Sequence, residues 1–442
     1  MLDAARTGTP PMITAAEAAA LVRSGDWLDY GITLCQPDAF DQALAARRDE
    51  LRGVQIRSCI TMKPRAVLAA DSEGRHFHWF SWHFSGYDRR QHDAGIGHYI
   101  PVNLGEIPGY YHRFLERPAM AVLKACPMDA QGYFNLGPTG GWHWAVVETA
   151  RCLVLEVTSA MSPAHGDGNR VHRSEVDYLI EGDDAPMSEL PAAPPTAVDS
   201  AVARLIAAEV EDGACLQVGS MPNAVCTLLL EGGVRNLGVH SEMLNDGLVD
   251  LYRAGRVSGA AKAQDIGRVT YSFALGGAAL YETVRGNADF ECRPVDYTNM
   301  PEVIARNPRA VAIKNTTQID LQGQAASESD GHRHISGTGG QLQFVRGAYA
   351  SEGGKSFIYL ASTYEKGGER RSRIVLNLTP GNVVTTPRSD MHYVVTEYGI
   401  ANLKGRSVAE RAKAIIGLAH PDYREALERD ARENRLLPKF FI

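Results

Sequence analysis

No block of lysine and arginine occurs in the 442-residue chain, and its formal net charge is −7. That excludes non-specific nucleic-acid binding and leaves any anionic ligand to a local pocket. No apolar run approaches the roughly 18 residues of a membrane span. The opening MLDAARTGTPP lacks the basic-then-apolar pattern of a secretion signal. Cysteine is sparse: seven residues, at 35, 59, 126, 152, 215, 226 and 292, an odd number with no CxxC pair. Such usage reads as reduced thiols in a cytosolic protein and not as a disulfide frame. Two reaction signatures are also missing, the GxSxG nucleophile elbow and the HExxH zinc helix, and the loop at 215–225 is not a phosphate loop because no Gly-Lys-Ser/Thr follows it. What is present is 44% apolar and 22% charged, the make-up of a folded soluble protein. The expectation is a cytoplasmic protein with neither membrane nor nucleic acid as partner.

A chain of 442 residues exceeds one ordinary core. The clearest boundary is GDDAPMSELPAAPPTAVD (182–199), where prolines at 186, 191, 194 and 195 bar helix and central strand alike. It separates an N-terminal domain over 1–188 from a C-terminal domain over 196–442. The second opens on a start signal, Thr196 to Asp199, followed by AVARLIAAEVEDG, a helix expected to stop at Gly213. In the first, TAAEAAALVRSG reads as a helix with a Thr14/Glu17 capping box, and WLDYGI, AVLKAC and CLVLEVT read as strands. In the second, CLQVG, NLGVH, VTYSFA, AVAIKN, SFIYLAS and VVTTP are strand-like runs between helical segments such as NAVCTLLLEGG. This alternation predicts α/β domains with open, mainly parallel sheets, which bind ligands at the carboxyl ends of their strands. Two halves of similar size permit a distant duplication.

Several stretches have the composition of a site. ISGTGGQLQF (335–344) sets Gly337, Gly339 and Gly340 around one threonine, so backbone N–H groups can converge on an anion; a tight turn is the plainer reading. CLQVGSMPNAV (215–225) runs from strand to helix with Pro222 in the first turn, placing Gly219 and Ser220 at a positive helix terminus. His76, His78, His83, His92, His332 and His334 lack carboxylates or cysteines at ligand spacing, so no metal is expected. Trp79, Phe80, Trp82, Phe84 and Tyr87 suit core or interface. Cys215 and Cys226 lie in apolar runs and read as structural. In NLGVHSEMLNDGLVD (236–250) the lone Glu242 is expected at a strand-to-helix turn, with MLNDGLVDLYRAG a helix closing at Gly255. There it is either a reacting group or a first-turn acid complementing the helix dipole. Asp246 and Asp250 suit a solvated helix face.

Taken together, HGDGNRVHRSEVDYLIEGD (165–183), PNAVCTLL, LGVHSEMLNDGLVDLY, SFALGGAALYE (272–282), PVDYTNMPEVIARNP, IDLQGQAASES (319–329), ISGTGGQLQFVRGA, GGKSF, VVTTPRSDMHYVVTEYGIANLKG (383–405) and AHPDYREAL cover nearly the whole chain. They resemble the class I CoA-transferases grouped as acetyl-CoA hydrolase/transferase proteins, in particular the 4-hydroxybutyrate and butyrate CoA-transferase type. The resemblance implies two tandem α/β domains of the CoA-transferase type, with the catalytic glutamate, Glu242, carried by the second. It implies acyl-CoA and small carboxylate substrates, ping-pong exchange through a glutamyl-CoA thioester, no tightly bound cofactor, and a homodimer or higher symmetric homo-oligomer. By the same matching, Gly219, Ser220 and Met221 form one backbone-donor loop and Gly337, Gly339 and Gly340 the other. Thr317 lines the CoA channel, and Asn299 in YTNMP is a further contact. The Gly219–Pro222 loop is two residues shorter than in many relatives, which bears on oxyanion stabilisation. Gln318 stands where some relatives carry a carboxylate, a change the resemblance ties to substrate choice. An acyl-CoA hydrolase using the same glutamate, or a CoA-binding protein without turnover, are the alternatives.

Overall fold

The computed structural model describes residues 8–190, 194–219 and 223–438. Residues Met1–Leu190 form one unit with Thr270–Thr298; Pro191–Val269 and Asn299–Ile442 form a second.

In the first unit the apolar runs become strands β1 (Trp27–Ile32), β2 (Val54–Cys59), β3 (Phe77–Ser81), β4 (Gly97–Tyr99), β5 (Met120–Ala125), β6 (Leu153–Val157) and β7 (Tyr178–Glu181). They form one sheet in the order β4-β3-β2-β1-β5-β6-β7, with parallel pairings throughout. A parallel sheet is covered on both faces, which explains why β5 is apolar almost without interruption. Helix α1 (Ala15–Ala20) starts at the Thr14/Glu17 capping box. Trp79 and Trp82 are fully buried, and the Trp79 indole donates to Asp88 at 3.1 Å. His76 and His92 bond backbone carbonyls, Leu51 at 3.0 Å and Gly97 at 2.8 Å. At the carboxyl end of the sheet the acids Asp38, Glu156 and Asp183 surround the Lys124 ammonium.

The second unit begins with helix α2 (Ala197–Ala207), capped by Thr196 and Asp199. It ends before Gly213, because the Ala208 N–H turns back to the Arg204 and Ile206 carbonyls and tightens the last turn. Strands β8 (Cys215–Val218), β9 (Gly238–Leu244), β10 (Ala310–Asn315), β11 (Lys355–Tyr359), β12 (Tyr393–Thr396) and β13 (Gly399–Asn402) lie in the order β9-β8-β10-β11-β12-β13. Only β12 and β13 pair antiparallel among these. Each unit thus places its first strand centrally, its second strand on one side and a later strand on the other. The change of direction falls between β1 and β5 in one unit and between β8 and β10 in the other. Such switch points are where open α/β sheets bind ligands. Helix α3 (Asn223–Gly232) follows β8, and Ile358, Val394, Ile415 and Leu427 belong to one buried apolar cluster of the unit.

Two expectations change. Glu242 is not a first-turn acid, because β9 continues through it to Leu244. Asn245 is the N-cap, its Oδ1 accepting from the Leu248 N–H at 3.1 Å, so helix α4 (Asp246–Arg253) starts four residues after Glu242. VVTTP is not a strand: the backbone is irregular there and only Thr386 forms a bridge, to Ala325. Pro380 and Pro387 bracket the segment and lack the N–H that a ladder needs, and Val383 and Val384 are 47% and 39% exposed.

Candidate active site at the carboxyl ends of β8, β9 and β10

The register pairs Cys215 with Gly238 on one side and with Ala310 on the other. Beyond those pairs, Glu242, Gly219 and Lys314 stand at the carboxyl ends of three neighbouring strands, with Lys314 Cδ 3.9 Å from where a Cβ on Gly219 would lie. The middle member has no side chain, so the three form a notch with a carboxylate on one wall and an ammonium on the other. The Gly219 N–H bonds the Ile313 carbonyl at 3.1 Å, and its own carbonyl accepts from Asn245 Nδ2 at 3.1 Å. The N-cap of α4 therefore also ties β9 to the end of β8.

Glu242 Oε2 accepts from Asn299 Nδ2 at 2.5 Å. Asn299 is itself buried, on the turn before Met300, the N-cap of the next short helix. Against the same oxygen lies Gly340: a methyl group on its Cα would come 2.1 Å from Glu242 Oε2 and 2.5 Å from Asn299 Nδ2. Only glycine lets the backbone come this close. Gly340 is the N-cap of helix α5 (Gln341–Ala350), and no side chain caps that end. The carboxylate therefore lies at the positive end of a helix, an environment that favours negative charge.

The glycine loop is fixed from behind. The buried Glu328 accepts from the Thr338 hydroxyl at 3.1 Å and the Thr385 hydroxyl at 2.9 Å, and its carbonyl accepts from the Ile335 N–H at 2.8 Å. Gln341 Nε2 bonds Ser327 at 2.9 Å and Thr386 at 3.0 Å. Gly337, Gly339 and Gly340 are all buried, and Gly339 has φ +55°.

Of the residues singled out from the sequence, Glu242, Asn299 and Gly340 are in mutual contact, with Gly219 on the adjoining strand end. Ser220 and Met221, with Pro222, lie outside the described residues. Thr317 turns elsewhere: its hydroxyl donates to Ala326 O at 2.7 Å and its carbonyl accepts from Arg373 Nη1 at 3.0 Å. Gln318 Oε1 accepts from Thr379 N and Asn382 Nδ2, both at 2.8 Å, and its Nε2 donates to Thr379 Oγ1 at 2.9 Å. Sequence reasoning missed Lys314, Glu328 and Asn245. The signal for Lys314 was a lone cation in the apolar run AVAIKN.

Chemically, the arrangement offers a carboxylate held by one amide, flanked by glycine backbone and an uncapped helix terminus. Such a group attacks an electrophilic carbonyl, and a positive helix terminus beside it suits the negative charge that develops.

Two α/β units with large, mainly parallel sheets are the fold of the CoA-transferases of known structure that this chain matches. The 4-hydroxybutyrate CoA-transferase from Porphyromonas gingivalis superposes with a TM-score of 0.78 at 30% identity, over 96% of this chain and 98% of that one. RipA from Yersinia pestis superposes with a TM-score of 0.87 at 36% identity, over 97% and 98%. The chain belongs to the acetyl-CoA hydrolase/transferase family: residues 9–191 match its N-terminal domain and residues 276–431 its C-terminal domain. The butyryl-CoA:acetate CoA-transferase of Anaerostipes caccae is 43% identical over 96% of both chains. The 4-hydroxybutyrate coenzyme A transferase of Clostridium kluyveri is 34% identical over 94% of this chain and 96% of its own.

Proposed function

We propose that the protein is an acyl-CoA:carboxylate CoA-transferase, exchanging CoA between a short-chain acyl-CoA (acetyl-, butyryl- or 4-hydroxybutyryl-like) and a free carboxylic acid. The observation that carries this is the seat of Glu242, its Oε2 bonded to Asn299 and lying against Gly340. In the first step Glu242 attacks the thioester carbonyl; the C–S bond breaks, a mixed anhydride forms and CoA leaves as thiolate. The thiolate then attacks the Glu242 side-chain carbonyl, giving a glutamyl-CoA thioester and releasing the first acid. A second carboxylate runs the sequence backwards and departs as the new acyl-CoA. Covalent storage on a carboxylate keeps the acyl and thioester bonds from water while partners change.

In this scheme Asn299 aims the nucleophile. Gly219, Ser220 and Met221 on one side and Gly337, Gly339 and Gly340 on the other supply backbone around the acyl carbonyl and CoA. Thr317 braces the wall of the CoA channel. CoA enters as substrate and no tightly bound cofactor is required. All seven cysteines are free thiols, which supports a cytoplasmic setting, and the working form is taken as a symmetric homodimer or higher homo-oligomer.

The test is incubation with acetyl-CoA, trapping with borohydride or hydroxylamine, and mass spectrometry of the Glu242 peptide. Free thiol is followed with and without butyrate. A transferase labels at Glu242 and turns over only with the acceptor. Release of thiol without an acceptor means hydrolysis, and CoA binding with neither label nor turnover ends the enzymatic reading. Glu242→Gln abolishes the label and retains CoA binding.

A further inference from the structure

Lys314 is a cation that the fold buries beside Glu242 without a direct partner. Its ammonium stands 5.0 Å from the centroid of the Phe344 ring, and among the described residues it makes neither a hydrogen bond nor a contact ion pair. It stands two strands over from Glu242, a gap of roughly 10 Å between backbones at ordinary strand spacing, and its Cδ lies 3.9 Å from where a side chain on Gly219 would begin. A lysine and a glutamate reach towards each other across such a gap, and Gly219 places nothing between them. A buried ammonium is unfavourable without an anion. Burial draws the Lys314 pKa down, and the Glu242 charge across the notch draws it back.

We infer that Lys314 binds whichever anion is free in the site at each stage of the exchange: Glu242 at rest, and the CoA thiolate or a substrate carboxylate once Glu242 is acylated. This rests on Glu242 as the covalent carrier. The charge count supports it. At rest Glu242 is the anion. In the anhydride Glu242 is neutral and the thiolate carries the charge. In the glutamyl-CoA thioester Glu242 is again neutral, and the departing or incoming carboxylate carries it. Each chemical step thus has one negative charge near the reacting centre, matched by one buried cation; only between departure of the first acid and arrival of the second does the ammonium lack an anion, and that is the state that takes up the incoming carboxylate. The ligand class is a monoanionic carboxylate, seated over the Gly219 notch between Lys314 and the position Glu242 occupies.

Glu242→Gln imitates the neutral, acylated state, so the test is butyrate binding in the presence of CoA, measured by calorimetry on three forms of the full chain. The Glu242→Gln protein binds butyrate roughly 10- to 100-fold more tightly than the Glu242→Gln/Lys314→Met protein, the factor a hydrogen bond to a charged group carries. Glu242→Gln/Lys314→Arg recovers most of that gain. Equal butyrate affinity with and without the lysine overturns the inference. So does an Arg form no better than the Met form while both melt like the parent. If Lys314→Met fails to fold, the same comparison is made with Lys314→Gln. Should that also fail, wild type against Glu242→Gln decides, because no gain in butyrate affinity on neutralising Glu242 overturns the idea. Trapping at Glu242 in the wild type is run alongside: no label there removes the covalent reading, whereas a label with lysine-independent butyrate binding removes only the role of Lys314.

Discussion

A single methyl group at Gly340 tests the site geometry with little disturbance elsewhere. The backbone there has φ −96° and ψ 10°, outside the left-handed region that demands glycine, so Gly340→Ala requires no glycine-only conformation. The new carbon would lie 2.1 Å from Glu242 Oε2, 2.5 Å from Asn299 Nδ2 and 3.1 Å from Glu242 Cδ. All three are side-chain atoms at the ends of rotatable chains, so the side chains yield and the helix stays in place. Relief to an ordinary contact of about 3.5 Å moves the carboxylate by more than about 1 Å and breaks its bond to Asn299. Misplacing a reacting group by that much costs on the order of 100-fold, about 2.7 kcal/mol of barrier. Stability changes by less than about 1 kcal/mol, since the alanine also removes freedom from the unfolded chain. The assay is kcat/KM for CoA exchange between acetyl-CoA and butyrate, beside a thermal melt. Gly339→Ala is the control of opposite sign: at φ +55° it strains the backbone by about 1–2 kcal/mol, which the melt registers. A folded Gly340→Ala enzyme within three-fold of wild type refutes the reasoning, because the working carboxylate would then not lie against Gly340.

Two further outcomes are expected. Glu328→Ala leaves the buried Thr385 hydroxyl and the half-buried Thr338 hydroxyl without their shared acceptor; it destabilises by about 1–3 kcal/mol and lowers exchange activity through the loosened glycine loop, and an unchanged melting temperature would remove Glu328 as the brace. His143 is buried and its pKa is pushed by burial from 6.5 down to about 4. Its folded value lies below the unfolded one, so its contribution is full above pH 6.5 and is lost as pH falls from there towards 4, by about 3 kcal/mol in all. The stability difference between wild type and His143→Gln, followed by denaturant titration over that window, shrinks accordingly; a pH-independent difference contradicts a neutral buried ring.

Helix starts were legible because their signals are local. The Thr14/Glu17 and Thr196/Asp199 boxes form as their spacing requires, each satisfying N–H groups within three residues. The end of β9 was not legible, because Met243 and Leu244 serve equally as strand or as first-turn residues. The choice is made by Asn245, whose side chain caps Leu248 and also reaches the Gly219 carbonyl on another strand. Val383 and Val384 misled for a related reason: β-branched side chains favour a strand only where a neighbouring strand accepts the backbone, and flanking prolines prevent that here.

The candidate site divides along the same line. Glu242, Asn299 and Gly340 stand in recognisable stretches, but their contact depends on strand register, and Lys314 reaches the notch only through the pairing of Cys215 with Ala310, far along the chain. Gln318 shows what residue type hides when partners are unseen. Read against relatives with a carboxylate, it pointed to substrate choice. In the fold both halves of its amide are engaged, Oε1 by Thr379 N and Asn382 Nδ2, Nε2 by Thr379 Oγ1. A carboxylate would keep the two acceptor bonds and lose the donor. The amide therefore pins the 379–382 turn, and through it the exposed Val383 and Val384. Any influence of Gln318 on substrate would pass through the position of that segment, because the hydrogen-bonding atoms of its own side chain are already committed.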